Sequence, residues 1–345
     1  MSLALLVSAA VACLASFAAC RVLIPLLRRF GVIDVPSARS SHLRPVVRGG
    51  GLAVGAGVTV GSAVGGTIGL LTGDITMFSA VVVIGLFVLI TWCFSVLGFM
   101  DDLGSMSAGP RLVFQVLIAV LFAGALGWLH GHGLFAIAAV TLMVVSTVNA
   151  VNFMDGLNGL TASWTVVTGY WYAVVALAVD EPAAAVISTA LAAAAAGFLP
   201  DNIGRARAFL GDVGSYGIGG SVAVLATYLM AQGTDFLLVG APLLLLFFDV
   251  GLTLARRLYA RENLFQAHRW HLYQKAQQAG LGHEQVAGVY SGLTLLSCLI
   301  TAPLLAYPHP VMTSVVLPLL LVVVLIYANL PAMVRARARE ASVAS

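Results

Sequence analysis

Polar and apolar positions in this chain fall into blocks. Eleven apolar runs are each long enough, or nearly so, to cross a bilayer as a helix of about twenty residues. They cover 3–27, 51–71, 78–100, 112–129, 134–148, 161–179, 183–199, 213–230, 236–255, 286–306 and 311–333. No alternation of period two runs through them, which excludes the strands of an outer-membrane barrel. The pattern predicts an all-α polytopic membrane protein of about eleven transmembrane helices. The second run is rich in glycine and is expected to pack closely against its neighbours. The first run has no basic stretch before it, and Arg28 and Arg29 follow it, so it is expected to be a retained span.

The connections alternate in kind. One set is polar and basic: 28–50, 101–111, 149–159, 200–212, 256–285 and the tail 335–345. The other set is very short: 72–76, 130–133, 180–182, 232–235 and 307–310. All 17 Lys and Arg lie in or beside the first set, and the second holds only Asp74, Asp180, Glu181 and Asp235 as charged side chains. The positive-inside rule then puts the first set in the cytoplasm, with the N-terminus outside and the C-terminus inside.

Composition agrees. Of 345 residues 60% are hydrophobic and 9% charged, and the formal charge of +3 is too small to suggest nucleic acid. Cys13, Cys20, Cys93 and Cys298 all lie in apolar runs and read as small core residues, with neither a disulfide nor a metal cluster. No internal repeat or linker divides the chain, so residues 1–345 are expected to form one membrane domain.

Against this background one stretch, 149–160, reads NAVNFMDGLNGL between two apolar runs. Asn152, Asp155 and Asn158 are spaced so that a continuous helix would carry them on one face. A polar interhelical cluster is the structural alternative. Further polar clusters lie on the same expected side. Asp101 and Asp102 end the third run, where the negative end of a helix disfavours acids. Phe209 to Ser215 reads FLGDVGS, and Asp212 there suits either a helix cap or a cation that bridges to phosphate. The loop 256–285 carries His268, Arg269 and His271, a cationic patch suited to a pyrophosphate. Asp249 sits inside an apolar run, an expensive position that points to function or to an ion pair. Several carboxylates on one face with a basic patch suggest a divalent cation completed by phosphates, and so metal-dependent phosphoryl transfer involving a membrane lipid.

In their order these residues resemble the polyprenyl-phosphate N-acetylhexosamine-1-phosphate transferases, glycosyltransferase family 4. Asp101 and Asp102 match the acidic pair of that family. Asn149, Asn152, Asp155, Gly156, Gly159 and Leu160 match N-x-x-N-x-x-D-G-x-x-G-L, and 209–215 match F-L-G-D-x-G-S. Asp34, Pro36, Arg39, His42, Pro45, Arg48, Gly49 and Gly50 follow the pattern of its first cytoplasmic loop. The loop HRWHLYQ lacks the run of histidines of the muramoyl-pentapeptide branch and looks like the branch that starts O-antigen or other surface polysaccharides.

The resemblance implies transfer of N-acetylhexosamine 1-phosphate from a UDP-sugar to undecaprenyl phosphate, with release of UMP, in a bacterial cytoplasmic membrane. It implies Mg²⁺ (Mn²⁺ as the alternative), with Asp212 and then Asp155 as ligands. Asp101 and Asp102 are expected to orient the lipid phosphate or take its last proton. His268, Arg269 and His271 would hold pyrophosphate and sugar, Asn152 and Phe209 the nucleotide, and His42 and Arg48 a phosphate. The site is expected to be built from 28–50, 101–111, 149–159, 200–215 and 256–285. Membrane lipids are implied partners, and a homodimer is compatible with the reading. A transporter or flippase of a phosphorylated solute is the alternative. It would require a polar path to the far side, where the sequence offers no basic residue.

Overall fold

A bilayer core offers backbone N–H and C=O groups no partners, so each long apolar run must satisfy its own hydrogen bonds by coiling into a helix. The computed structural model, which describes residues 1–36, 44–104, 106–131, 133–262, 269–307 and 310–344, shows this outcome. Eleven helices are long and apolar enough to cross a membrane. They are α1 (Ser2–Arg29), α2 (Gly51–Leu71), α3 (Ser79–Gly104), α4 (Ala108–His130), α5 (Leu134–Met154), α6 (Leu160–Ala178), α7 (Pro182–Asn202), α8 (Gly211–Ala231) and α9 (Phe236–Tyr259). After a short helix α10 (Leu272–Gln278) come α11 (His283–Leu305) and α12 (Pro310–Ala344). The chain is an all-α polytopic membrane protein, with α7 and α8 the most enclosed helices and α12 among the most exposed.

Several helices outrun the apolar blocks that predict them. α3 continues through Asp101 and Asp102 to Gly104, and α5 continues through Asn149 and Asn152 to Met154. Polar side chains at a membrane edge do not interrupt the backbone ladder, so the helix ends only where the local chain stops it. For α5 the stop is Asp155 followed by Gly156, where ψ turns to 47°. Asn152, Asp155 and Asn158 therefore do not share one helical face. α9 relaxes into a 3₁₀ turn at Ala241–Leu243, where Pro242 supplies no N–H.

Glycine allows the helices to meet backbone to backbone, as small residues do in membranes. A Cβ on Gly61 of α2 would lie 2.5 Å from the Ala12 Cβ of α1. The start of α8 is gripped from two sides. A Cβ on Gly51 would lie 2.0 Å from the Gly214 Cα, and one on Gly98 would lie 2.1 Å from the Asp212 carbonyl oxygen. Two short strands, β1 (Ile33–Asp34) and β2 (Val46–Val47), pair antiparallel with Ile33 opposite Val47. Val47 also bridges to Ala208, and the Phe209 N–H donates to the Val47 carbonyl at 2.8 Å. This stitch lays the first connection beside the segment that leads into α8, and so sets Arg48 next to Asp212.

Candidate active site

The first turn of a helix leaves N–H groups without intrahelical partners, and a carboxylate is well placed to accept from them. In α8 that acceptor comes from another helix. Asp102, its side chain fully buried, accepts from the Asp212 N–H at 2.9 Å and the Val213 N–H at 3.0 Å. An acid disfavoured at the end of its own helix, α3, is thus placed against the positive end of α8. Close packing makes this contact. Gly211, at φ +71°, adopts the left-handed turn into α8, and a Cβ there would lie 2.6 Å from the Asp102 Oδ2. Arg48 completes the arrangement, with Nε 2.6 Å from the Asp102 Oδ1 and Nη2 3.0 Å from the Asp212 Oδ2. Burial works against the Arg48 charge, but the carboxylates of Asp212 and Asp102 outweigh it and hold its pKa above the ordinary value. The second oxygen of Asp212 accepts from the Asn152 amide at 2.8 Å, and that amide also donates to the Ser215 hydroxyl at 3.0 Å.

The acidic pair is split by its helix. One residue on from the contact with α8, Asp101 turns to α4 and deeper into α8. It pairs with the Arg111 guanidinium at 2.9 Å and accepts from the Tyr216 hydroxyl at 3.0 Å and the Met106 N–H at 2.8 Å. Both carboxylates underlie the site, and neither lines the cavity described next.

That cavity has a volume of about 470 Å³ and is bounded by residues of four of the basic connections. Asp34 and Arg48 come from the first, and Asn152, Asp155 and Asn158 from the end of α5 and its turn. Asn202, Phe209 and Asp212 come from the segment around the start of α8, and Arg269, Gln274, Gln277 and Gln278 from the last large connection. Burial pushes the Asp155 carboxyl up to about 7, and the charges of Asp212 and Asp102 push the same way. Asn202 locks two loops together: its Oδ1 accepts from the Gly159 N–H at 2.8 Å, and its Nδ2 donates to the Ala208 carbonyl at 3.1 Å. Asp201 anchors the same segment, buried between Arg21 at 2.8 Å and Arg207 at 3.0 Å.

Of the residues singled out by sequence, Asp155, Asp212, Asn152, Phe209, Arg269 and Arg48 line the cavity. Asp101 and Asp102 support it from beneath. His271 is buried, with Nδ1 3.3 Å from the Asp249 Oδ1 and its ring stacked on Tyr273, and does not line the cavity. His42 and His268 lie outside the described residues. Asn202 and the glutamines of α10 were not singled out. The glutamines carry a legible signal, since Gln274, Gln277 and Gln278 are spaced to share one helical face.

Two hard-oxygen carboxylates, Asp155 and Asp212, meet at this cavity. Among the described residues no three His, Cys, Asp or Glu side chains gather into a cage of their own. This donor set fits Mg²⁺, which is usually held by one or two carboxylates together with substrate phosphates. It does not suit a metal that demands nitrogen or sulfur ligands.

The chain is also similar to known proteins. Residues 83–230 match glycosyl transferase family 4. The chain is 31% identical over 295 residues to a decaprenyl-phosphate N-acetylglucosaminephosphotransferase of Mycolicibacterium smegmatis, covering 74% of this chain and 71% of that one. It is 27% identical to a probable undecaprenyl-phosphate N-acetylglucosaminyl 1-phosphate transferase of Bacillus subtilis, over 76% of this chain and 75% of the relative. Similarity extends to a phospho-N-acetylmuramoyl-pentapeptide-transferase of Synechococcus, 31% identical over 60% of this chain and 67% of the relative.

Proposed function

This chain belongs to glycosyl transferase family 4, and from that premise we propose that it transfers an N-acetylhexosamine 1-phosphate from a UDP-sugar to undecaprenyl phosphate. The observation that carries the reading is the cavity itself, where connections distant in sequence bring Asp155 and Asp212 together with Arg48, Arg269 and Phe209. The lipid phosphate oxygen attacks the β-phosphorus of the donor. The bond from that phosphorus to the bridging oxygen breaks, and UMP departs with the oxygen, leaving undecaprenyl-diphosphate-sugar. A lipid phosphate has a second pKa of about 6 and is mostly dianionic at neutral pH, so it needs little help from a base.

The chain's own residues then act chiefly by placement. Asp212 and Asp155 would hold Mg²⁺, which when bound would neutralise charge on the pyrophosphate and the leaving UMP. Asp102 and Arg48 fix Asp212, and Asn152 sets the orientation of its carboxylate. Arg269 faces the cavity as a phosphate partner, and Phe209 offers a flat face for uracil. Asp101 is a positioning residue at one remove, through Tyr216 of α8. Loop chemistry favours a donor of the O-antigen type, and the distribution of Lys and Arg favours a site facing the cytoplasm in the bacterial inner membrane.

The test is purified protein in detergent with undecaprenyl phosphate, Mg²⁺ and a panel of UDP-N-acetylhexosamines, with UMP and lipid-linked product measured together. UMP release is expected with at least one donor. EDTA should stop it, and Asp212→Asn should lower it by about a thousandfold, the scale of losing an electrostatic group at the reacting centre. Folded protein that binds none of the UDP-sugars and releases no UMP would overturn the reading.

A further inference from the structure

Asp249 lies within the membrane-spanning helix α9 and is only 3% exposed. A buried carboxylate is costly in an apolar bundle unless donors surround it. Its donors come from α10, α12 and the next turn of its own helix, and three of them belong to one short segment. Oδ1 accepts from the Leu272 N–H at 2.9 Å and faces the His271 Nδ1 at 3.3 Å; Oδ2 accepts from the Tyr327 hydroxyl of α12 at 2.7 Å and the Tyr273 N–H at 3.4 Å. Thr253, one turn along α9, adds a hydroxyl at 3.3 Å. A carboxylate can only accept, so the His271 contact requires the proton on Nδ1. Three consecutive residues, His271, Leu272 and Tyr273, are thus bound to one side chain, and they form the start of α10.

What α10 carries makes this consequential. Gln274, Gln277 and Gln278 line the cavity, with Arg269 two residues before His271. Tyr273 reaches the opposite way, donating to the Phe153 carbonyl at 2.8 Å. A Cβ on Gly156 would lie 2.5 Å from the Tyr273 hydroxyl, so that ring rests on the turn that holds Asp155. α10 has seven residues and is too short to hold its place by its own hydrogen bonds. Its position is set from outside, by Asp249, by the 153–156 turn, and by packing against α12 and α11 with Leu272 and Ala276 buried.

We propose that Asp249 is a positioning residue for donor recognition. Through α10 it sets the wall of carboxamides and Arg269 that reads the polar nucleotide-sugar, a role that rests on the transferase reading above. Neutral carboxamides supply both donors and acceptors and suit the hydroxyl and acetamido groups of a sugar. The lipid substrate presents a single phosphate on an apolar chain and has little use for that wall.

The test measures steady-state kinetics for both substrates, and direct UDP-sugar binding, on the full chain in detergent. Wild type is compared with Asp249→Asn, Tyr327→Phe, the pair Gln277→Ala/Gln278→Ala, and that pair combined with Asp249→Asn. Asp249→Asn should raise donor KM and donor Kd by about tenfold while lipid-phosphate KM moves by less than about twofold. Tyr327→Phe, which removes one of the donors, should move the same quantities by about threefold. The combined variant should be no more than about twofold worse than the poorer parent, because both changes act through one wall. Multiplying effects would overturn the proposal. So would equal losses for both substrates that follow the folded fraction, which is the signature of a merely structural carboxylate. If Asp249→Asn does not fold, an unchanged donor Kd in Tyr327→Phe overturns it. Wild-type protein that binds UDP-sugar and releases no UMP would count against the reaction, whereas a donor Kd indifferent to Asp249 would count against this inference.

Discussion

A guanidinium can hold two carboxylates at once because its nitrogens lie in one plane, and Arg48 uses that geometry to join Asp102 to Asp212 across two helices. Among the described residues Asp155 has no ion pair of this kind, and this gives a pH prediction. Burial raises its carboxyl from an ordinary 3.8 to about 7. Between those values the unfolded chain has lost the proton and the folded chain keeps it, so stability falls as pH rises and levels off above about 7. Asp155→Asn resembles the protonated form and lacks the drop. With EDTA present, the melting temperature of Asp155→Asn should gain on wild type by at least about 2 °C between pH 5 and pH 8. A gap that stays constant across that range would contradict the assignment. At this scale the sequence was informative about residue type and poor on direction. Asp155, Asp212 and Asn152 could be picked out because polar groups among apolar runs need a reason. That Asp101 and Asp102 face different partners could not be, because Arg111 and Tyr216 become neighbours only when α3, α4 and α8 pack. Burial of His271 was hidden in the same way, behind an aspartate in another helix.

Helix α8 begins where two other helices touch its backbone, so its start depends on the absence of side chains. Gly98→Ala would drive a methyl into the Asp212 carbonyl, whose oxygen lies 2.1 Å from the Cβ position. α3 would have to shift, and Asp102 would leave the N–H groups of Asp212 and Val213. Turnover should fall by at least about tenfold, with a loss of stability of about 1–3 kcal/mol, the usual cost of overpacking. Gly85→Ala in the same helix is the control. Nothing lies within 4 Å of its Cβ position, so activity should be unchanged and stability equal or slightly higher. Assay and melting of the two variants side by side would decide the matter. The existence of every span was legible, because the bilayer demands a long apolar run for each. Their ends were not. α3 and α5 carry their polar residues as helix, since a helix needs backbone partners rather than apolar side chains to continue. The place of α10 was equally out of reach, because its anchors lie in α5, α9 and α12.

In the whole molecule, four of the six basic segments that charge alone grouped together border one cavity. That agreement is independent of the positive-inside argument, which assigns them to the cytoplasm. A cysteine at Met77, 63% exposed in a short connection, should react with a membrane-impermeant maleimide in intact cells, whereas one at Arg205 should react only after permeabilisation. The reverse pattern would invert the topology. The mounting of the cavity has a further consequence. One wall, the start of α8, is backbone pressed on backbone, and a contact without side chains has no rotamers through which to yield. Another wall, α10, is held by side chains: hydrogen bonds to Asp249 and from Tyr273, and the packing of its buried Leu272 and Ala276 in the core. The two walls are therefore mounted in different ways. Asp212 and Arg48 belong to the backbone-packed side, and the carboxamides that would tell one sugar from another belong to α10, so a change of donor can be accommodated by substitutions in α10 while Asp212 keeps its place.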